Sequence, residues 1–194
     1  MPFVTASNLG TTPWAITMGT FGTETDAFVA SADGTPSLYE VRASDATVLQ
    51  PALPLPGVTP KSTVVAASVV AGGLYDVVFD SGSASGTIAV LSTYDQLLLF
   101  VDRSSWTVTK SISLSGVQGT PFRIVADVAN GAVIVAFANP ASVTTTYASV
   151  DVATGTVTPL ESTSSLLSVG LAVSSDGTKI YSAQRNQIEV KSNQ

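Results

Sequence analysis

The sequence predicts an all-β protein, a β-propeller of about four four-stranded antiparallel blades. A short pattern occurs three times, at residues 41–48, 101–108 and 150–157: a valine, five mostly polar or small residues, and then Thr-Val. Each copy is typical of two strands joined by a tight polar turn. The copies begin 60 and 49 residues apart, close to the spacing at which supersecondary units recur in repeat proteins.

The composition is that of a single domain over residues 1–194. Apolar residues make up 45% and charged residues 11% of the chain, and the apolar residues form short runs broken by Gly, Ser, Thr, Asp and Pro. A chain of this length can bury a substantial core. Because no run approaches the roughly 20 apolar residues of a membrane-spanning helix, we expect no membrane insertion.

Charge and missing residue types exclude several classes of function. The net charge is −6 and Lys and Arg number only 8, whereas a nucleic-acid surface needs clustered cations, so no nucleic-acid partner is expected. The chain has no Cys and no His. It therefore has no thiolate and no imidazole, and it cannot form a Ser-His-Asp triad by itself. We expect no cofactor and no metal site.

The first unit (13–57) and the third unit (117–167) divide into four strands each. Short alternating runs rich in Val and Thr, bounded by Gly, Pro, Asn or Asp, indicate strands. The predicted strands are 14–19, 27–32, 37–41 and 48–53 in the first unit, and 122–127, 132–138, 147–152 and 156–160 in the third. Asp33-Gly34 and Asn130-Gly131 supply tight hairpin turns.

The second unit (58–116) is longer than its neighbours. Its last three strands are predicted at 87–92, 97–101 and 107–114. Two segments, 63–70 and 74–79, compete for the position of its first strand. One of them would be the blade strand and the other an insertion, and the pattern leaves both choices open.

The two ends of the chain complement each other. The fourth unit (168–194) contains predicted strands at 169–173, 179–183 and 187–190, with Val190 in the register of Val41, Val101 and Val150, and it stops before a fourth strand. Residues 2–6, within segment 1–10, are predicted to form an extra strand. Ring propellers close by such a pairing. We therefore expect the N-terminal strand to close the last blade. The alternative is part of a larger ring, completed by a second copy or by further sequence.

Three stretches resemble the repeats of the YVTN-type propeller family. Residues 170–181 resemble its inner hairpin with an SPDG turn, although Ser175 replaces the family proline. Residues 97–108 resemble its outer hairpin, and residues 111–121 its link to the next blade. The resemblance implies a propeller. Because the family includes surface proteins, binding modules and relatives of lactonase-type enzymes, it also implies a cell-surface or extracellular location.

Two positions depart from their repeats in a way that suggests ligand binding. Arg123 lies in an inner strand where the other units have alanine, and a guanidinium lining a propeller channel could hold an anionic ligand. The alternative is that Arg123 pairs with a carboxylate such as Asp127 and joins adjacent blades. Trp106 lies in a polar turn, where it is either an exposed binding contact or a side chain folded back over the blade edge.

The sequence predicts a non-enzymatic propeller that serves as a binding or structural interaction module. Its ligand-binding residues would be Arg123, Asp127 and Trp106, and its ligand would be a protein or a small molecule. One alternative is a lactonase-like or other hydrolytic propeller that uses carboxylates. Another is a fragment of a larger propeller without a separate function, which would self-associate to complete a ring.

Overall fold

The computed structural model describes residues 9, 13–21, 23–31, 34–60, 74–79, 86–139, 141–164, 170–184 and 187–193. Within these residues the chain forms fifteen β-strands and no helix. The strands make four antiparallel sheets, and in each sheet neighbouring strands follow one another along the chain. The predicted all-β class and the antiparallel blades are confirmed. The described residues include no helix that is long and apolar enough to span a membrane.

The strand bounds are as follows. Sheet 1 contains β1 (Pro13–Phe21), β2 (Glu24–Ser31), β3 (Ser37–Arg42) and β4 (Leu53–Pro54). Sheet 2 contains β5 (Leu74–Phe79), β6 (Thr87–Ser92), β7 (Leu97–Asp102) and β8 (Thr107–Ser113). Sheet 3 contains β9 (Thr120–Asp127), β10 (Ala132–Asn139), β11 (Thr144–Asp151) and β12 (Val157–Ser164). Sheet 4 contains β13 (Gly170–Val173), β14 (Lys179–Ala183) and β15 (Ile188–Ser192).

The structure decides between the two segments that compete for the first strand of sheet 2. This strand is β5, which pairs with β6 from Leu74 opposite Ser92 to Phe79 opposite Thr87. The competing segment, residues 63–70, lies outside the described residues. So do residues 2–6, on which the predicted closure of the last blade depends.

The fourth strand of sheet 1 is shorter than predicted. Val48 forms only a single bridge to Val41, and β4 itself is Leu53–Pro54. Prolines at positions 51, 54 and 56 lack the N–H that a ladder needs. The prolines therefore prevent continuous pairing with β3.

The turns after the third strands of sheets 1, 2 and 3 share one geometry. Their left-handed positions are Ala46, Trp106 and Gly155, with φ angles of 57°, 50° and 78°. Beside each turn a backbone N–H donates to a carbonyl near the start of the second strand: Ala43 to Thr25, Arg103 to Gly86 and Val152 to Gly131. This agreement supports the three-fold repeat seen in the sequence.

Sheet 4 has a register one residue away from the predicted one. Its equivalent N–H is that of Asn193, which donates to the carbonyl of Thr178. In the other sheets this donor lies two residues after the first valine of the repeated pattern, so Lys191, and not Val190, takes that position. Val190 is 51% exposed. The prediction was wrong by one residue because the alternating pattern does not fix the register of this strand. A slip of one residue moves every side chain to the opposite face of the sheet, which leaves Val190 exposed.

The described residues form two compact units, Met1–Ser111 and Ile112–Gln194. In the first unit the main core lies between sheets 1 and 2 and contains Phe28, Ala30, Leu38, Leu55, Val58, Ile88, Val90, Leu99 and Val101. In the second unit a core between sheets 3 and 4 contains Ile134, Ala136, Tyr147 and Ile180. The single domain predicted over residues 1–194 stays a prediction.

Candidate functional site

Trp106 folds onto sheet 1 from the turn between β7 and β8. Its indole Nε1–H donates a hydrogen bond of 2.7 Å to the carbonyl of Pro51, and its ring packs against the core between sheets 1 and 2. Its φ of 50° is uncommon for a bulky residue. The indole therefore joins two sheets, while the predicted role of Trp106 in ligand binding stays a prediction.

Arg123 and Asp127 occupy different environments on β9. Arg123 is exposed and lies opposite Ala136 of β10, whereas Asp127 is 1% exposed and ends the strand. Four residues of strand separate their Cα atoms by about 13 Å. An exposed guanidinium presents donors suited to an anion, and a buried carboxylate needs donors of its own. Arg123 therefore presents hydrogen-bond donors at the surface of the strand, whereas Asp127 accepts hydrogen bonds in the interior.

The side chains of two asparagines donate to Asp127. Together, Asp127, Asn130, Asn193 and the carbonyl of Gly177 form what we call the amide cluster. Asn130 Nδ2 and Asn193 Nδ2 lie 2.8 Å and 2.6 Å from Asp127 Oδ2, and both also donate to the Gly177 carbonyl at 2.9 Å. The cluster joins the β9–β10 turn of sheet 3 to the end of β15 in sheet 4.

Gly177 is required in the amide cluster for two reasons. Its φ of +68° lies in the left-handed region that favours glycine. A Cβ at this position would also collide with Asn130 Nδ2 and lie 2.8 Å from Asp127 Oδ1. The cluster therefore closes only around a residue without a side chain.

A second buried polar group, which we call the charge cluster, consists of Asp26 of β2, Glu40 of β3 and Arg103 after β7. Arg103 Nη2 lies 2.8 Å from Asp26 Oδ2, and Arg103 Nε lies 2.5 Å from Glu40 Oε1. The side chains of Asp26, Glu40 and Arg103 are 0%, 2% and 18% exposed. Burial raises the pKa of Glu40. The positive charge and hydrogen bond of Arg103 partly offset this increase, and the charge of Asp26 adds to it.

The two clusters use the same position of the repeat. Arg103 in sheet 2 and Asn193 in sheet 4 are the residues whose backbone N–H returns to the second strand. From that position each side chain reaches carboxylates of the preceding sheet within its own unit. The corresponding residues of sheets 1 and 3, Ala43 and Val152, carry no polar side chain.

Sequence reasoning missed the charge cluster, although a signal for it existed. Asp26 directly precedes an apolar run in ETDAFVAS, and Glu40 lies between Tyr39 and Val41 in SLYEVR, so both acids fall within the strands β2 and β3. Buried acids are almost always paired, so each position required a partner. The sequence alone did not indicate that Arg103, 63 residues after Glu40, would be that partner.

Four aspartates that are exposed or half-buried hold turns. Their Oδ1 atoms accept backbone N–H bonds of 2.6–3.1 Å in four turns: Asp45 from Thr47, Asp102 from Ser105, Asp151 from Thr154 and Asp176 from Thr178. At Asp176 the hydroxyl of Ser174 and then the N–H and hydroxyl of Thr178 lower the pKa to about 2. Among the described residues, no three acidic side chains converge as metal ligands would.

Comparison with known proteins bears on the fold alone. Neither a protein-family model nor a curated protein sequence matches this chain. Among solved structures, the chain is similar to a chain in the crystal structure of the mitotic checkpoint complex. The TM-score is 0.56 and the identity 14%, over 100% of this chain and 55% of that chain.

A second similar structure is that of a protein from Lactobacillus plantarum. It has a TM-score of 0.51 and 13% identity, over 86% of this chain and 48% of that chain. The chain thus spans about half the length of both solved chains. Together with the four antiparallel sheets, these likenesses establish an all-β, propeller-like fold.

Proposed function

We propose that the chain is a non-enzymatic interaction module of the YVTN type, which binds a ligand through the exposed surface of its sheets. The observation that carries this proposal is how its carboxylates are used. Asp45, Asp102, Asp151 and Asp176 cap turns, and the buried acids are held in the charge cluster and the amide cluster. Acids engaged in this way support structure, whereas a hydrolase needs acids that face its substrate.

Arg123 is the best-placed ligand contact among the three residues predicted from the sequence. It is exposed on β9, whereas Asp127 is buried and Trp106 is half-buried. A guanidinium recognises carboxylate, sulfate or phosphate through parallel hydrogen bonds. The proposed ligand is therefore anionic, with Asp127 and Trp106 supporting the surrounding sheets.

The experiment is a thermal-shift series with citrate, sulfate and inorganic phosphate. We expect at least one of these anions to raise the Tm of the wild type and to have a smaller effect on Arg123→Ala. Arg42→Ala is the matched control, because Arg42 is also exposed and pairs with the exposed Asp45. Equal anion effects in both variants would contradict binding at Arg123.

A lactonase-like or other hydrolytic function is favoured by one observation, the buried pair of acids in which the pKa of Glu40 is raised. Perturbed carboxyl groups are common in active sites, although structural ion pairs perturb them too. Turnover of a lactone panel that Glu40→Gln abolishes would establish the enzyme. We expect turnover no faster than that of the heat-denatured protein, and no stoichiometric metal by elemental analysis.

Self-association belongs to the same proposal. The chain spans about half the length of the two solved chains it resembles, so two copies together would match that length. Sedimentation equilibrium tests this directly. A dimer mass supports completion by a second copy, and a monomer mass contradicts it.

A further inference from the structure

The charge cluster does not balance as three fully ionised groups. It brings two carboxylates, Asp26 and Glu40, against the single positive charge of Arg103. Full ionisation would therefore leave one negative charge in a site where both acids are at most 2% exposed. An uncompensated buried charge is so costly that a group in this position usually takes up a proton.

One oxygen of the cluster also lacks a donor. Asp26 Oδ2 accepts from Arg103 Nη2, but Asp26 Oδ1 is buried and has no hydrogen-bond partner among the described residues. The side chains of Asp26 and Glu40 are within hydrogen-bonding reach of each other. Two carboxyl groups at this separation form a favourable bond only when a proton lies between them.

We propose that Asp26 and Glu40 share one bound proton in the folded protein, which makes the charge cluster electrically neutral and supplies the donor that Asp26 Oδ1 lacks. The pair is thus a proton-binding site at the junction of sheets 1 and 2. The proton belongs to both acids and not to one.

The described surroundings supply no further charge to replace the proton. The positions opposite Asp26 are Gly19 of β1 and Arg42 of β3, and the position opposite Glu40 is Phe28 of β2. Arg42 pairs with Asp45 at 3.2 Å. Asp102, beside Arg103, accepts bonds from Ser104 and Ser105. Arg103 therefore remains the cation of the cluster.

The proton links the junction of the two sheets to pH. Because the pKa of Glu40 is raised in the folded state, the folded protein holds its proton more tightly than the unfolded chain does. The stabilisation is complete below the usual pKa of 4.5 and is lost as the pH rises through the raised value. Above the raised value, two carboxylates face each other between sheets 1 and 2.

Carbon-13 NMR of the full chain, labelled at its Glu and Asp carboxyl carbons, tests the proposal. We expect one Glu resonance, absent from Glu40→Gln, to titrate with a midpoint above 4.5. A midpoint at or below 4.5 would show that Glu40 is an ordinary ionised partner of Arg103 and would overturn the proposal.

Variants give a second, independent readout at pH 4.5, which lies below the raised pKa of Glu40 so that the folded protein holds the proton. An amide mimics a protonated carboxyl, so we expect at least one of Asp26→Asn and Glu40→Gln to lower Tm by less than about 3 °C. The double variant leaves Arg103 without an anion and should lose far more, whereas the exposed control Asp45→Asn should change little. If each single variant loses as much as the double variant, both acids are ionised and the proposal fails.

Discussion

Asn193 Nδ2 lies 2.6 Å from Asp127 Oδ2, and this contact joins the residue after the last strand to the end of β9, 66 residues earlier. Asp127 is almost fully buried, so each donor that it loses leaves a desolvated carboxylate less well compensated. The position of Asn193 in the repeat is also that of Arg103, which reaches the acids of sheet 1. The final residues of the chain thus contribute to the second unit's stability.

Asn193→Ala should therefore destabilise the protein by about 1–2 kcal/mol, the usual cost of leaving a buried acceptor short of a donor. Urea unfolding followed by far-ultraviolet circular dichroism, which reports on the strands of both units, measures this loss. Asn193→Asp should cost more, because it places a second carboxylate against Asp127. An unchanged urea midpoint for both variants would show that the amide cluster does not stabilise the fold.

Gly177→Ala and Gly131→Ala form a matched pair. Their φ angles, +68° and +62°, impose the same backbone cost of about 1–2 kcal/mol on alanine. A Cβ at Gly131 meets nothing within 4 Å, whereas a Cβ at Gly177 collides with Asn130 Nδ2. We expect a larger loss of unfolding free energy for Gly177→Ala. Equal losses in urea melts would mean that the amide cluster adapts to the extra methyl group.

Trp106→Phe should isolate the hydrogen bond to Pro51. The ring still packs against the core between sheets 1 and 2, but the indole N–H is gone and the Pro51 carbonyl loses its donor. We expect a loss of about 1 kcal/mol. Trp106→Gly removes the ring but also relieves the left-handed strain. We expect the loss of the ring to outweigh the relief of strain, so this variant should be less stable than the phenylalanine variant. A more stable glycine variant would show that strain outweighs the indole contacts.

Acid should weaken the turn that contains Asp176. The hydroxyl of Ser174 and the donors of Thr178 lower the pKa of Asp176 from 3.8 to about 2 in the folded state. Because the folded state binds this proton less tightly than the unfolded chain does, ionised Asp176 stabilises the fold at every pH above 3.8. This contribution is lost as the pH falls from 3.8 through about 2. Tm measured from pH 5 to pH 2 should therefore fall less steeply for Asp176→Asn than for the wild type. Identical slopes would contradict the bonding at this turn.

Deleting residues 1–8 tests the predicted closure of the last blade. Sheet 4 has three strands among the described residues, and its strand β15 carries the exposed Ile188 and Val190, at 71% and 51%. An apolar edge strand of this kind promotes aggregation unless another strand covers it. We expect the truncated protein to melt at a lower temperature or to aggregate during size-exclusion chromatography. An unchanged Tm with full solubility would exclude closure by the N-terminal strand.

The sequence by itself determined the fold class and the repeated hairpins. Strand alternation and turn residues act over a few neighbours, so the strands of sheet 3, the first three strands of sheet 1 and the repeated turns that contain Ala46, Trp106 and Gly155 could be predicted locally. The same local logic failed where the pattern was ambiguous. It could not choose the first strand of sheet 2, and it placed Val190 one residue out of register, because alternation alone does not distinguish the two faces of an edge strand.

Only the tertiary structure decided which polar groups meet. Arg103 pairs with acids 63 and 77 residues away, and Asn193 with an acid 66 residues away. Sequence reasoning concentrated on Arg123, whose departure from its repeat was visible, and overlooked Arg103, which lies in a repeated turn. Polar contacts between sheets depend on how two sheets pack together within a unit, and that packing brings distant residues into contact without leaving a recognisable spacing in the sequence.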